Sequence, residues 1–261
     1  MTSFTHQSGH YFSIDNARIY YEELGEKGRP VLILLHGGLG TMEDFNPIMS
    51  YLPNDFLIIG VDCRGQGKST LGSAPLTYQQ MQLDVEALLR SLKINRASIM
   101  GFSDGGMIGY RMAIKNPALV EKLIAVDAPW SSADLAATAE IFERITAEGW
   151  KQKFPGMYAL YAKLNPEPDF EKLTEAMKKM WLDSSATGGY VNDLVRTIKC
   201  PTLIVRGDND ALFERKSAAE LANRIEGASF LNVPFADHTS FAAQPTIFSI
   251  AVNTFLRTGY R

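Results

Sequence analysis

Ala97-Ser98-Ile99-Met100-Gly101-Phe102-Ser103-Asp104-Gly105-Gly106 is the stretch on which the reading of this chain turns. Ala97 to Phe102 is a mostly apolar run of the kind a strand needs when both its faces are covered. Gly105 to Lys115 then continues with helical period. A serine at the apex of so sharp a strand-to-helix turn needs small neighbours two places before and two places after, because side chains there would collide. Gly101 and Gly105 meet that need. The new helix aims its free N–H groups and the positive end of its dipole at the apex, where a developing oxyanion would be stabilised. Gly-x-Ser-x-Gly alone arises often by chance. The strand before it and the helix after it make Ser103 a candidate nucleophile.

The buried-strand signature recurs at Val31 to Leu35, Phe56 to Val61, Leu123 to Val126, Thr202 to Val205 and Phe230 to Val233. Two alternating runs, His10 to Ile14 and Arg18 to Leu24, flank Asp15-Asn16 and predict a hairpin at a sheet edge. Helical segments are expected over Tyr78 to Leu92, which puts Met81, Val85, Leu88, Leu89 and Leu92 on one face, and over Arg215 to Ile225 and Thr246 to Leu256. Strand and helix in alternation predict an α/β fold, a doubly wound and mostly parallel eight-stranded sheet. The alternation breaks once. Residues 130–197 hold no strand-like run and are helix-prone over Leu135 to Glu148 and Lys172 to Trp181. Their nearly balanced charges fit a solvated helical face. We therefore expect a core domain of residues 1–129 and 198–261, with residues 130–197 inserted as a helical cap.

A nucleophilic serine needs a base, and the chain has four histidines. His6 and His10 lie before the first hairpin, and His36 is held in His36-Gly37-Gly38 directly after a buried strand. His238, between the last strand and the last helix, is the remaining candidate. An acid that holds the imidazole in its productive tautomer should fall between Ser103 and His238. Gly207-Asp208-Asn209-Asp210, after the penultimate strand, offers two. Asp208 is close to the strand end, where a turn-forming aspartate is common; Asp210 lies further into the loop, from where it can reach the next one. The pair also resembles the start of a calcium loop, but Ala211-Leu212-Phe213 lacks the glycine and later ligands of one. Gly67-Lys68-Ser69 resembles the end of a phosphate loop, yet Asp62 stands where its first glycine belongs.

Taken together, these motifs resemble the α/β-hydrolase superfamily along nearly the whole chain, as a serine-nucleophile, esterase-like member. The likeness rests on His36 to Gly38, on Asp62, Arg64, Gly65, Gly67 and Ser69, on the turn at Ser103, on Gly207 to Asp210, and on His238. It implies that Asp210 is the acid, that the backbone N–H groups of Gly38 and Asp104 form an oxyanion hole, and that His36 is structural. Some members place the acid after the sixth strand, where Asp127 stands here. The Ser103 to Gly106 segment also resembles members that cleave α-amino acid esters, which implies that the Asp104 carboxylate could pair with a cationic acyl group. The alternative reading of Asp104 is a helix cap. Trp130 is a candidate substrate-binding residue, while Phe154, Met157, Tyr158, Tyr161, Met177 and Trp181 either line a pocket or form the core of the cap.

Composition narrows the class. With 26 basic and 29 acidic residues and a formal net charge of −3, the chain lacks the clustered basic excess that nucleic acid or an anionic membrane would require. No apolar run approaches the ~18 residues of a membrane span, and Met1 to Ser13 lacks the basic-then-apolar pattern of a signal peptide. Cys63 and Cys200 give no disulfide framework. A cytoplasmic hydrolase without cofactor or metal, acting on a small carboxylic ester or a related lactone, thioester or amino-acid ester, is the expectation. A slowly catalytic or non-catalytic small-molecule receptor of the same fold is the alternative.

Overall fold

Buried apolar runs can satisfy their backbone groups only by pairing with one another. In the computed structural model, which describes residues 3–185 and 187–258, they do so in one eight-stranded sheet. Its strands are β1 (His10–Ile14), β2 (Ala17–Leu24), β3 (Val31–Leu35), β4 (Leu57–Val61), β5 (Ala97–Phe102), β6 (Val120–Val126), β7 (Thr202–Gly207) and β8 (Ser229–Val233), in the order β1-β2-β4-β3-β5-β6-β7-β8. β1 and β2 are antiparallel, with Ile14 opposite Ala17, and every pair from β4 to β8 is parallel. Asp15 and Asn16 turn the hairpin with φ of 46° and 59°, the left-handed conformation that these two residue types tolerate.

Helices cover both faces. They are α1 (Asn46–Met49), α2 (Tyr78–Ser91), α3 (Asp104–Lys115), α4 (Ser132–Glu143), α5 (Ala147–Lys153), α6 (Pro155–Leu164), α7 (Phe170–Trp181), α8 (Arg215–Arg224), α9 (Ser240–Ala243) and α10 (Pro245–Arg257). Successive strand residues point to opposite faces. Ile33, Leu35, Ile99 and Leu123 therefore join the core under α2, α3 and α8, while Leu32, Leu34, Met100 and Ile124 join the one under α1 and α10.

The break between β6 and β7 holds α4 to α7; residue 186 of this excursion lies outside the described residues. The helix expected over Leu135 to Glu148 is two helices, because Thr146 stops the first and caps the second by accepting from Gly149 N–H. α6 escapes the periodicity analysis because it opens on Pro155 at its first position, where the missing N–H is not needed. The excursion is tied to the core at Asn165, whose Nδ2 donates to the carbonyls of Gly65, Gly67 and Ser69 at 2.9 to 3.2 Å.

His6, which carries no motif, is a buried clamp. Its Nε2 lies 2.8 Å from Asp62 Oδ2 and its Nδ1 2.5 Å from Glu43 Oε1. A ring with carboxylates at both nitrogens donates at both, so it is an imidazolium. Burial opposes that charge, but the bonds and charges of Asp62 and Glu43 outweigh it and raise the pKa above 6.5. A raised histidine pKa stabilises the fold fully below the unfolded value, and this contribution disappears as pH rises through the folded one. His6→Asn should therefore lower stability to urea, with a larger loss at pH 6 than at pH 9. An equal loss at both would show that the imidazole acts by packing alone.

Candidate active site

At the carboxyl ends of the parallel strands, Ser103 is held with φ 50° and ψ −115°, between β5 and α3. A β-carbon on Gly101 would sit 2.2 Å from the Gly105 carbonyl oxygen, and one on Gly105 would sit 1.9 Å from that of Leu35. The two glycines are thus required by backbone packing, as the turn motif predicts. Ser103 Oγ lies 3.0 Å from His238 Nε2, and His238 Nδ1 lies 3.0 and 2.9 Å from the two Asp210 oxygens. A carboxylate only accepts, so Nδ1 carries the proton and Nε2 is free to accept from the serine hydroxyl. Asp210 also accepts from the N–H groups of Leu212 and Phe213, and its side chain is fully buried.

The neighbouring aspartates do other work. Asp208 pairs with Arg215 and accepts from Asn232 Nδ2, so it braces the strand end and does not approach His238. Asp127, with φ 50°, accepts from Gly207 N–H at 2.7 Å and from Ser240 N–H and Oγ at 3.0 and 2.6 Å. It thereby joins the loop that carries Asp210 to the one that carries His238. Burial raises its pKa to about 7, against the lowering effect of His238 and of these hydrogen bonds. Burial also disfavours a charge on His238, but the hydrogen bonds and charge of Asp210 outweigh it, helped by Asp127 and Asp104, and the pKa stands above 6.5.

His36 Nε2 accepts from Cys63 N–H, which leaves Nδ1 to donate to Gly37 O at 2.7 Å. This fixes the start of the Gly37-Gly38 loop. A β-carbon on Gly37 would lie 3.2 Å from Ser103 Cβ; one on Gly38 would lie 2.6 Å from the Trp181 ring and 2.7 Å from Asp104 Oδ2. Asp104 does not cap α3 with its side chain, which corrects the helix-cap reading. Its carboxylate instead accepts from Tyr78 Oη at 2.8 Å and from Trp181 Nε1 at 2.9 Å. Burial raises its pKa, although Trp181 and Tyr78 act in the opposite sense. Among the described residues it forms no ion pair, and no acceptor is paired with the N–H of Asp104 or of Gly38.

Trp130 is placed differently from Ser103 and its partners. Its indole N–H goes to Ser217, and Arg224 stacks 5.0 Å above its ring, on the α8 side. Met177 and Trp181 reach Gly38, whereas Phe154 packs on Trp150 and Tyr158 on Phe170. Tyr78, Asn165 and His6 have no counterpart in the sequence analysis. Each acts through contacts distant in the chain, and only the position of Tyr78 at the start of α2 could have drawn attention to it.

A family model of the α/β-hydrolase fold matches residues 30–178. The chain belongs to the α/β-hydrolase family. This hydrolase is 30% identical over 257 residues to the AB hydrolase superfamily protein YisY of Bacillus subtilis, covering 88% of this chain and 91% of that one. It is 26% identical to the mouse serine hydrolase BPHL, covering 94% of this chain and 85% of the relative. The crystal structure of the enol-lactonase from Burkholderia xenovorans superposes with a TM-score of 0.76 at 21% identity, covering 95% of this chain and 100% of that one. At that identity the superposition speaks for the fold alone. No described helix is long and apolar enough to cross a membrane.

The His238 imidazole should titrate above pH 6.5 in NMR spectra. Asp210→Asn should lower its midpoint by about one unit or more, the usual effect of a carboxylate in contact. A smaller shift than that produced by Asp127→Asn would make Asp127 the dominant charge.

Proposed function

We propose that this hydrolase cleaves small carboxylic esters through an acyl-enzyme on Ser103, with His238 as base and Asp210 as the acid that orients it. The observation that carries the reading is the unbroken hydrogen-bond chain from Asp210 through His238 to Ser103 Oγ. Ser103 Oγ attacks the ester carbonyl while its proton passes to His238 Nε2. Asp210 stabilises the imidazolium so formed. The imidazolium then protonates the departing alkoxide, and a water, deprotonated by His238, releases the acid and restores Ser103.

The oxyanion is received by the N–H groups of Gly38 and Asp104, worth about 3 kcal/mol per donor in comparable sites. Support for this pair comes from the passage of the Gly37-Gly38 loop beside Ser103 and from the place of Asp104 N–H at the first turn of α3, where helix N–H groups lack internal acceptors. Residues 130–197 act as the cap, and Met177 and Trp181 of α7, packed against Gly38, support that role. The core domain is then residues 1–129 and 198–261.

Ser103→Ala should abolish labelling by a fluorophosphonate and lower kcat on a short aryl ester by several orders of magnitude, with His238→Ala costing about as much. Many turnovers by the wild type distinguish the enzyme from a receptor that is acylated once. Because only neutral imidazole is a base, the rate should climb with pH through an inflection above 6.5. A flat profile from pH 5 to 9 would remove His238 from this role.

One observation favours a narrower substrate class. The Asp104 carboxylate is buried beside Gly38 with two neutral donors, and no lysine, arginine or histidine lies within ion-pair distance of it among the described residues. An ammonium group on the acyl part of an α-amino acid ester would complete it. Valine or glycine esters should then exceed their desamino analogues by about ten- to a hundredfold in kcat/KM, the range for a hydrogen bond to a charged group. Asp104→Asn should erase the preference; a preference that survives this change would return Asp104 to bracing Tyr78 and Trp181.

A further inference from the structure

Arg206, one residue before the end of β7, is buried, and no carboxylate lies within ion-pair distance of it among the described residues. A guanidinium stays charged inside a protein, and burying it is costly unless hydrogen bonds receive it. Here each of its three nitrogens donates to a neutral acceptor. Nε reaches the Phe213 carbonyl, Nη2 the Asp210 carbonyl at 3.0 Å, and Nη1 Asn232 Oδ1 at 3.2 Å. Nε and Nη2 form one edge of the planar group, so a single rigid fork spans two carbonyls of the 210–213 turn.

The same turn is held from within. The Asp210 carboxylate accepts from Leu212 N–H at 2.7 Å and from Phe213 N–H at 3.2 Å, and Asp210 N–H donates to Gly207 O at 3.1 Å. With its N–H on the strand end and its carbonyl on Arg206, Asp210 is fixed on both sides of its α-carbon, and so is the direction in which its side chain leaves. That direction brings both carboxylate oxygens to His238 Nδ1, at 2.9 and 3.0 Å. A salt bridge from Arg206 to the carboxylate would compete for those oxygens, whereas a grip on the carbonyls leaves them to the imidazole. The charged groups around the guanidinium are Asp210, Arg215, Asp127 and Glu214; burial lowers its pKa, Arg215 adds to the lowering, and the three carboxylates oppose it.

We propose that Arg206 is a positioning residue for the acid: its fork, by holding the carbonyls of Asp210 and Phe213, keeps the Asp210 carboxylate in register with His238. It acts on His238 through Asp210. Lysine in its place would keep the charge but offer a point donor instead of the fork, and so could not hold both carbonyls in one geometry. The role rests on the reading of Asp210 as the acid, which Asp210→Asn tests by itself through kcat and the titration of His238.

The experiment compares wild type, Arg206→Lys, Arg206→Met and Asp210→Asn by NMR titration of His238 and by kinetics on a short aryl ester. Arg206→Lys should move the His238 midpoint down, in the same direction as Asp210→Asn. Its kcat should fall by about ten- to a hundredfold with KM little changed, the effect of misplacing a group that acts in the reaction. Arg206→Met, which loses charge and fork together, should lose at least as much kcat. An unchanged midpoint in folded Arg206→Lys would overturn the role. If the midpoint also rose in Arg206→Met, the residue would act by charge alone; if only the melting temperatures fell, it would be a brace of the strand end. Should neither variant fold, the wild type decides. Its Arg206 Nε–H should then exchange with solvent no faster than the N–H groups of Leu212 and Phe213, and faster exchange would detach it from the turn and overturn the role. Should Asp210→Asn itself leave kcat and midpoint unchanged, the reading of the acid fails, and not the grip of Arg206 on the turn.

Discussion

The contact on which the molecule depends is the approach of the α3 backbone to the end of β3. No side chain fits between Gly105 and the Leu35 carbonyl, or between Gly101 and Gly105. The closeness of these backbones lets one strand-to-helix turn hold Ser103 outside the sheet with its Oγ in reach of His238. It also brings the loop after β3 alongside, so that Gly37 and Gly38 face the serine and the first turn of α3. The position of Ser103 and that of the Gly37-Gly38 loop therefore have one cause, the packing of two adjacent parallel strands and the helix that follows the second.

A second regularity lies in the loops beyond the carboxyl ends of the strands. Three of them are held by a buried aspartate. Asp62, after β4, accepts from Met42 and Lys68 N–H and bonds to His6. Asp127, after β6, accepts from Gly207 and Ser240. Asp210, after β7, accepts from Leu212 and Phe213 and bonds to His238. Loops are rich in backbone N–H groups without partners of their own, and a carboxylate can take several at once. Two of the three, Asp210 and Asp127, also act on His238, so the residues that tie these loops together contribute to the raised His238 pKa.

Two of the polar contacts between the helical excursion and the core lie before α7 and at its last residue. Asn165 donates to three carbonyls of the 65–69 loop, and Trp181 donates to Asp104 beside Ser103. Near these anchors, Met157, Tyr161, Leu173 and Met177 lie beside the 38–41 loop. Buried hydrogen bonds fix direction where apolar contact alone permits sliding. The excursion is thus registered on the core at the points where the space beside Ser103 is bounded.

Local signals were sufficient for much of this. Apolar runs located six strands because a strand covered on both faces needs apolar side chains at successive positions, alternating runs located the edge hairpin, and the turn at Ser103 was legible because its steric demand falls on residues two places away. Boundaries inside the excursion were less legible, since α6 opens on a proline and the break at Thr146 depends on one hydroxyl. The sequence by itself determined the fold class and singled out Ser103 and His238 as candidates, the first by a steric demand within a few residues and the second by its place between the last strand and the last helix. Only the tertiary structure set Asp210 and not Asp208 against His238, gave the Asp104 carboxylate to Tyr78 and Trp181, turned Trp130 towards α8, and made His6 a clamp. Those outcomes depend on partners tens of residues away, and the direction of a side chain across such a gap is fixed by packing, which no local pattern encodes.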